Sequence, residues 1–186
     1  MPTSTLRSVC VFCGARHGVS PGYTKAAQDL GAGLAAHGLR LVFGAGDVGL
    51  MGEVARAAQT AGGVTFGVIP KHLMEMEVGK RDLSHLVVTE TMHERKKVMF
   101  MNADAIVALP GGAGTLDELF EVLTWRQLGL HEKPVYLLNA EGYWDPLLAM
   151  LDNMRDQGFI DDAFLATLTP TSSVSELLGA LRAALC

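Results

Sequence analysis

Short apolar runs alternate with longer stretches in which apolar residues recur every three or four positions. The runs are typical of strands buried on both faces, and they lie at 8–13, 39–43, 64–69, 85–89, 103–109 and 135–138. The helical spacing predicts helices at 21–37, about 52–61, 92–101, 115–128, 143–157 and 173–185. Strands that alternate with helices form β-α-β units, so we expect an α/β fold: a Rossmann-like, doubly wound parallel sheet flanked by helices.

The length of the chain fits one such domain, which we place over residues 1–186. Segment 70–84 has no clear period, and we interpret it as a mobile loop or a short irregular helix over a site. Sheets of this kind bind ligands at the carboxyl ends of their strands. That rule places segments 14–16, 44–52, 70–84 and 110–115 along one rim.

Composition and charge narrow the class of protein. A formal net charge of −5 argues against a nucleic-acid binder with a broad basic surface. No apolar run reaches the length of a membrane span, and no secretory leader opens the sequence. Cys10 and Cys13 lie three residues apart on a predicted strand, so they point to opposite faces and pack in the core rather than form a redox pair. We therefore expect a cytoplasmic protein.

Residues 110–118, Pro-Gly-Gly-Ala-Gly-Thr-Leu-Asp-Glu, follow a predicted buried strand and open a helix. Free N–H groups at a helix start bind anions, and glycines let a phosphate approach the backbone. A carboxylate beside a phosphate repels it, so Glu118 favours a site that also performs chemistry. The alternative is a capping box in which Glu118 only holds the backbone N–H of Thr115.

Residues 91–97 carry a second cluster of charge. Thr91 and Glu94 form a predicted capping box, which places Arg95, Lys96 and Lys97 in the first two helical turns. Cations are disfavoured there by the helix dipole, so they indicate an anion that offsets them. The alternative is a solvated cationic face. Under either interpretation we expect Met92 and Met99 to turn to the core, which leaves Arg95 and Lys96 to face elsewhere.

Segment 44–52 contains the pattern G-x-G-x-x-G at Gly44, Gly46 and Gly49. It follows the second strand rather than the first, and no acidic residue stands about twenty positions further on, so a dinucleotide site is disfavoured. Two interpretations of this glycine pattern stay open. It forms either a structural turn or a part of a phosphate or nucleotide cleft. The six histidines show no metal-ligand spacing, and no serine lies on a nucleophile elbow.

Three motifs in this order resemble the LONELY GUY family. They are Gly-Leu-Met-Gly at 49–52, Met-His-x-Arg-Lys at 92–96, and Pro-Gly-Gly-x-Gly-Thr-x-x-Glu at 110–118. Segments 9–14, 68–71 and 123–125 extend the resemblance over nearly the whole chain. Members of that family are phosphoribohydrolases that cleave the N-glycosidic bond of cytokinin nucleoside 5′-monophosphates and release the N6-modified adenine and ribose 5-phosphate.

The resemblance implies roles for individual residues. Arg95 and Glu118 correspond to the catalytic residues. The implied substrate contacts are Gly46, Glu77, Met92, Arg95, Lys96, Gly112, Ala113, Gly114, Thr115, Leu116, Asp117, Glu118 and Thr124. One departure is Ala45, where the family usually has glycine, and its methyl group could alter the cleft.

The resemblance also implies a homodimer with the site near its interface, a nucleoside 5′-monophosphate as substrate, and neither metal nor cofactor. The apolar residues of 92–101 and 115–128 independently favour an assembly. The group that protonates the leaving purine is left open between Asp117 and a water.

The rival function is a non-catalytic nucleotide or cofactor carrier on the same fold. Nothing in the sequence marks a lysine that anchors pyridoxal phosphate, so we reject the lysine decarboxylase label often given to such chains.

Overall fold

A computed structural model describes residues 7–76 and 79–185. Its centre is one seven-stranded sheet in which every pairing is parallel. The strands are β1 (Ser8–Phe12), β2 (Arg40–Phe43), β3 (Thr65–Pro70), β4 (His85–Thr89), β5 (Ala105–Ala108), β6 (Val135–Leu138) and β7 (Leu168–Thr171). Their spatial order is β4-β3-β2-β1-β5-β6-β7, so the doubly wound α/β prediction is confirmed.

Helices cover both faces of the sheet. They are α1 (Pro21–Ala36), α2 (Gly49–Thr60), α3 (Lys71–Glu75), α4 (Met92–Met101), α5 (Ala113–Gln127), α6 (Asp145–Asp156), α7 (Asp162–Leu165) and α8 (Val174–Leu185), with a 3-10 turn at Ala140–Gly142. Ser20 caps α1 as its side chain accepts from the N–H of Gly22, and proline follows at the first helical position. No helix within the described ranges is long and apolar enough to cross a bilayer.

Successive residues of β1 divide the core into two layers. Val9, Val11 and Cys13 face α1, α2 and α8, whereas Cys10 and Phe12 face α4, α5 and α6. The two thiols therefore lie on opposite faces of the sheet and are free, as their spacing predicts. Cys10 is fully buried, whereas Cys13 is 6% exposed and borders a cavity. Burial raises the pKa of the Cys10 thiol well above its usual value, so this cysteine is inert packing material.

The strand order reverses between β1 and β5. The chain runs outward from β1 to β4, then crosses back to place β5 on the other side of β1. Crevices form at such a reversal because the connections leave in opposite directions. Here the turn after β1 meets the turn after β5, where the N–H of Gly14 donates to the carbonyl of Pro110 at 3.0 Å.

Several elements differ from the sequence-based prediction: α7 and β7 were not predicted, and α2 and α6 begin at Gly49 and Asp145 rather than at about 52 and at 143. Strand β7 was not predicted because its middle residues, Thr169 and Pro170, are exposed, as suits an edge strand without an apolar run. Segment 70–84 contains a short helix, α3, which favours the second of its two interpretations. Helix α5 begins at Ala113, two residues earlier than Thr115, and this shift changes the interpretation of Glu118.

Candidate active site

A cavity of about 610 Å³ opens at the reversal point, a size typical of small-ligand sites. The four segments expected on one rim all contribute to its wall, so their convergence is confirmed. The lining residues are Cys13, Gly14, Ala15, Arg16, His17, Gly18, Tyr23, Gly44, Gly46, Val48, Leu50, Met51, Ile69, Leu73, Arg95, Pro110, Gly111, Gly112, Gly114, Thr115, Glu118 and Tyr143.

Arg95 is buried and held by backbone carbonyl groups. Its Nε donates to the carbonyl of Val68 at 3.2 Å, and its Nη2 donates to the carbonyl of Gly44 at 2.9 Å. The absence of a side chain at Gly44 makes this possible, because a Cβ there would overlap Nη2. The guanidinium is thus fixed near the ends of two strands, and Nη1 lies 3.9 Å from the Sδ of Met92 and faces α5.

Glu118 lies opposite this guanidinium, with 4.0 Å between its Oε1 and Nη1 of Arg95. Only 11% of its side chain is exposed. Burial raises the pKa of the Glu118 carboxyl to about 7, although Arg95 acts in the opposite direction. A carboxyl group poised near neutral pH in a cavity is the arrangement expected of an acid–base or charge-stabilising residue.

The capping-box reading of Glu118 is wrong. Gly112, not Thr115, is the N-cap of α5, and no side chain of residues 7–76 or 79–185 caps this helix start. Asp117 and Glu118 consequently lie in the second turn, and no acidic residue occupies the first. The first backbone N–H groups of α5 have no intrahelical partner and no side-chain cap, and they lie beside the cavity, where they can bind an anion.

Glycines at the turn after β5 allow a close approach between loops. A Cβ at Gly111 would overlap the hydroxyl of Thr115 and would lie 2.9 Å from the N–H nitrogen of Gly14. Around Gly112 and Gly114 there is open space instead. The same loop is thus packed tightly at Gly111 and open at Gly112 and Gly114, which line the cavity.

The glycine-rich segment 44–52 serves the cleft as well as the fold. Gly44 and Gly46 line the cavity, which favours the cleft reading of this pattern. Ala45 has a φ of 54°, in the left-handed region, and is fully buried. Its methyl group packs towards Gly67 rather than the cavity, so the expectation that Ala45 alters the cleft is not supported.

The structure brings only some of the predicted substrate contacts together. Gly46, Arg95, Gly112, Gly114, Thr115 and Glu118 line the cavity. The other described candidates lie outside its wall, namely Met92, Lys96, Ala113, Leu116, Asp117 and Thr124. Glu77 lies outside the described residues.

Lys96 of α4 is buried, and its ammonium group pairs with two carboxylates of α5. The Nζ of Lys96 lies 3.0 Å from Asp117 and 3.2 Å from Glu121. The anion that offsets this cation near the start of α4 is therefore supplied by the protein. Asp117 does not reach the cavity, which leaves it without support as the proton donor to a purine. Met92 is 39% exposed, so the expectation that it turns to the core is wrong.

Sequence reasoning missed the two tyrosines of the cavity. Tyr143 donates its hydroxyl to the carbonyl of Gly111 at 2.5 Å, and its ring meets that of Tyr23 edge to face at 5.5 Å. These residues belong to elements remote in sequence, and only the tertiary fold brings them to the glycine loop. Among the described residues no three His, Cys, Asp or Glu side chains are grouped as metal ligands.

Comparison with known proteins assigns the family. A family model described as "Possible lysine decarboxylase" matches residues 51–181. A probable cytokinin riboside 5′-monophosphate phosphoribohydrolase of Oryza sativa subsp. japonica, LOGL2, is 46% identical over 90% of this chain and 70% of its own length. The Arabidopsis thaliana cytokinin riboside 5′-monophosphate phosphoribohydrolase LOG3 is 42% identical over 98% of this chain and 85% of its own length. The chain belongs to the LONELY GUY family.

The solved structures similar to this LONELY GUY chain confirm its architecture. The molybdenum cofactor binding protein of the phototrophic bacterium Rippkaea orientalis superposes with a TM-score of 0.75, covering 99% of this chain and 100% of that one. Its sequence identity of 23% shows the shared fold alone.

The word decarboxylase in the family model's description finds no support in the cavity. A decarboxylase that uses pyridoxal phosphate needs a lysine amine to anchor the cofactor. No lysine is found among the described residues that line the wall. The residues that line the cavity of this LONELY GUY member therefore give no support to the lysine decarboxylase label, which the sequence analysis rejects.

Proposed function

We propose that this protein hydrolyses the N-glycosidic bond of cytokinin nucleoside 5′-monophosphates, which carry an N6-modified adenine. The products are the free base and ribose 5-phosphate. The observation that carries the proposal is the buried Glu118 carboxyl beside Arg95, in a cavity that also holds the uncapped start of α5. The names of the relatives, cytokinin riboside 5′-monophosphate phosphoribohydrolases, support the same substrate class.

The chemistry follows from how a glycosidic bond breaks. The sugar passes through an oxocarbenium-like state with positive charge at C1′, and a carboxylate beside it stabilises that charge. Ionised Glu118 performs this task and accepts a proton from the water that attacks C1′. The bond from C1′ to the purine nitrogen breaks, the purine leaves with its electron pair and takes a proton from water, and Glu118 returns its proton to solvent. Arg95, fixed by two carbonyl groups, holds the carboxylate in place and contributes positive charge near the substrate. The uncapped amides of α5 bind the 5′-phosphate.

A carrier that binds a nucleotide without cleaving it is the competing function on this fold. A carrier of anions gains nothing from a buried carboxyl in its cavity, because the desolvated negative charge repels the ligand. The position of Glu118 therefore favours the hydrolase.

The direct test is to incubate the protein with AMP, with isopentenyladenosine monophosphate and with the matching nucleosides, and to measure free base. We expect both monophosphates to be cleaved at least about a hundredfold faster than the nucleosides, because two or three charge-assisted contacts to phosphate contribute about 1.5–3 kcal/mol each. Binding of nucleotide without release of base would identify a carrier, and equal cleavage of nucleosides would contradict the phosphate site.

We also propose that the protein is a homodimer built on α4 and α5. These helices lie side by side, as the rings of Phe100 and Trp125 meet at 5.0 Å. At the C-terminal ends of these helices, Met101 is 67% exposed and Leu128, the C-cap of α5, is 68% exposed. Apolar residues so exposed mark an interface when several occur together.

The expectation of a cytoplasmic location stays a prediction.

A further inference from the structure

Arg16 is a cationic side chain of the cavity wall to which no role has been assigned. It lies in the turn after β1, four residues beyond Phe12, and is exposed at the cavity. Within residues 7–76 and 79–185 it makes no ion pair and no side-chain hydrogen bond. We propose that Arg16 binds the 5′-phosphate of the substrate and thereby sets the preference for nucleotides over nucleosides. This inference rests on the proposed function and assigns a residue within the same site.

The charges of the cavity residues favour a second cation beside the substrate phosphate. Glu118, when ionised, contributes one negative charge, and Arg95 lies 4.0 Å from it with its other nitrogens held by carbonyl groups. A phosphate monoester brings between one and two further negative charges at neutral pH. Arg95 compensates Glu118, and backbone amides alone do not neutralise the phosphate. A second cation is needed to balance the loaded site.

Lys96, which the family resemblance assigns to substrate, is not placed to be that cation. It lies outside the cavity wall, and its ammonium group is shared between Asp117 and Glu121. To reach a ligand in this cavity it would have to leave both carboxylates. His17, also at the wall, lies 3.3 Å from Glu53. Of the described basic residues at the cavity, Arg16 alone has neither a carboxylate nor a carbonyl partner.

The position of Arg16 also fits the phosphate rather than the base. The turn that carries it packs against the loop before α5 through Gly14, whose N–H donates to the carbonyl of Pro110 at 3.0 Å and whose added Cβ would lie 3.4 Å from the Cα of Gly111. On its other side a Cβ at Gly49 would overlap the backbone of Ala15 and Arg16. The turn of Arg16 is therefore held between two loops, and Arg16 lines the same cavity as Gly112, Gly114 and Thr115 at the start of α5. An arginine that shares a cavity with uncapped helix amides is suited to bidentate binding of phosphate.

The test compares the unaltered protein with Arg16→Gln, Arg16→Lys and the control Arg182→Gln, which removes the same charge from an exposed position on α8. Binding of ribose 5-phosphate and of adenine is measured by calorimetry, and KM and kcat are measured with AMP and isopentenyladenosine monophosphate. We expect Arg16→Gln to weaken ribose 5-phosphate binding and to raise KM by about ten- to a hundredfold. Adenine binding and kcat should change by less than about threefold, and Arg16→Lys should restore part of the affinity.

The calorimetric measurement of ribose 5-phosphate binding tests the role of Arg16 independently of whether the protein hydrolyses nucleotides. If the unaltered protein binds ribose 5-phosphate but releases no base, the hydrolase assignment fails, while the comparison with Arg16→Gln still decides the role of Arg16. Unchanged ribose 5-phosphate affinity in Arg16→Gln would overturn the inference. An equal loss in Arg182→Gln would also overturn it, as would a failure of the unaltered protein to bind ribose 5-phosphate.

Discussion

At the scale of single residues, Glu118 is the position where the folded state favours a neutral carboxyl group but the proposed reaction needs an ionised one. Its neutral form is favoured by burial, which raises the carboxyl pKa from 4.5 to about 7. Between these values the folded protein binds more protons than the unfolded chain does. The stability that this residue contributes is therefore present below pH 4.5 and is lost as the pH rises through 7.

Replacement of Glu118 by glutamine removes this pH dependence while it keeps the shape of the side chain. We expect Glu118→Gln to be more stable than the unaltered protein at pH 8, by about 2–3 kcal/mol, with most of the difference gone at pH 5. Urea unfolding of both proteins at the two pH values measures this. A capping role for Glu118 would instead make the difference small and independent of pH, because glutamine caps as glutamate does.

The role of Glu118 could be predicted from the motif, but its environment could not. Thr-x-x-Glu is the same pattern whether it caps a helix or lies within one, and only the observed start of α5 at Ala113 separates the two. Similarly, the charges of Arg95 and Lys96 predicted an anion near α4. The sequence cannot show that one of these neighbours faces the cavity and the other faces Asp117, since that depends on tertiary packing.

At the scale of elements, the turn after β2 packs against the side chain of Arg95 from α4 and holds its guanidinium in place. Gly44 supplies both a carbonyl acceptor and the space that a side chain would fill. Most of the predicted elements are confirmed, because buried strands and amphipathic helices carry clear periodicity. The edge strand β7 was missed because it has no apolar run.

Substitution of Gly44 by alanine tests this arrangement. The new methyl group would overlap the guanidinium, so we expect Arg95 to be displaced and hydrolysis to fall by at least about tenfold. The measurement is the rate of base release, with circular dichroism to verify folding. The matched control is Gly179→Ala on α8, where nothing lies within 4 Å of the added carbon. There we expect full activity and up to about 1 kcal/mol of added stability. Full activity in Gly44→Ala would contradict the positioning of Arg95 by β2.

At the scale of the whole molecule, the strand order brings the site together. Segments from four separate parts of the chain meet because β1 and β5 lie on opposite sides of the reversal point. This convergence could be predicted from the sequence by the rule for parallel sheets. The tyrosines and the roles of individual cavity residues could not, since no local pattern encodes contacts between distant elements.

The proposed dimer is tested at the same scale. Light scattering at micromolar concentration should give twice the chain mass of 19.8 kDa. Replacement of Met101 by glutamate places a charge on the exposed side of α4 and should shift the protein to the monomer. A stable monomer of the unaltered protein would contradict the dimer proposal, and so would a Met101→Glu protein that stays fully dimeric.

The central claim is that the buried carboxylate of Glu118 catalyses glycosidic cleavage, and base release at pH 8 by the Glu118→Gln protein tests it most directly. At that pH the native carboxyl is mostly ionised, since its pKa is about 7. We expect release of base from isopentenyladenosine monophosphate to fall by about a hundredfold or more. Nucleotide affinity measured by calorimetry should stay equal or become tighter, because a negative charge has been removed. A Glu118→Gln protein that binds nucleotide and releases base at the native rate would contradict the assignment.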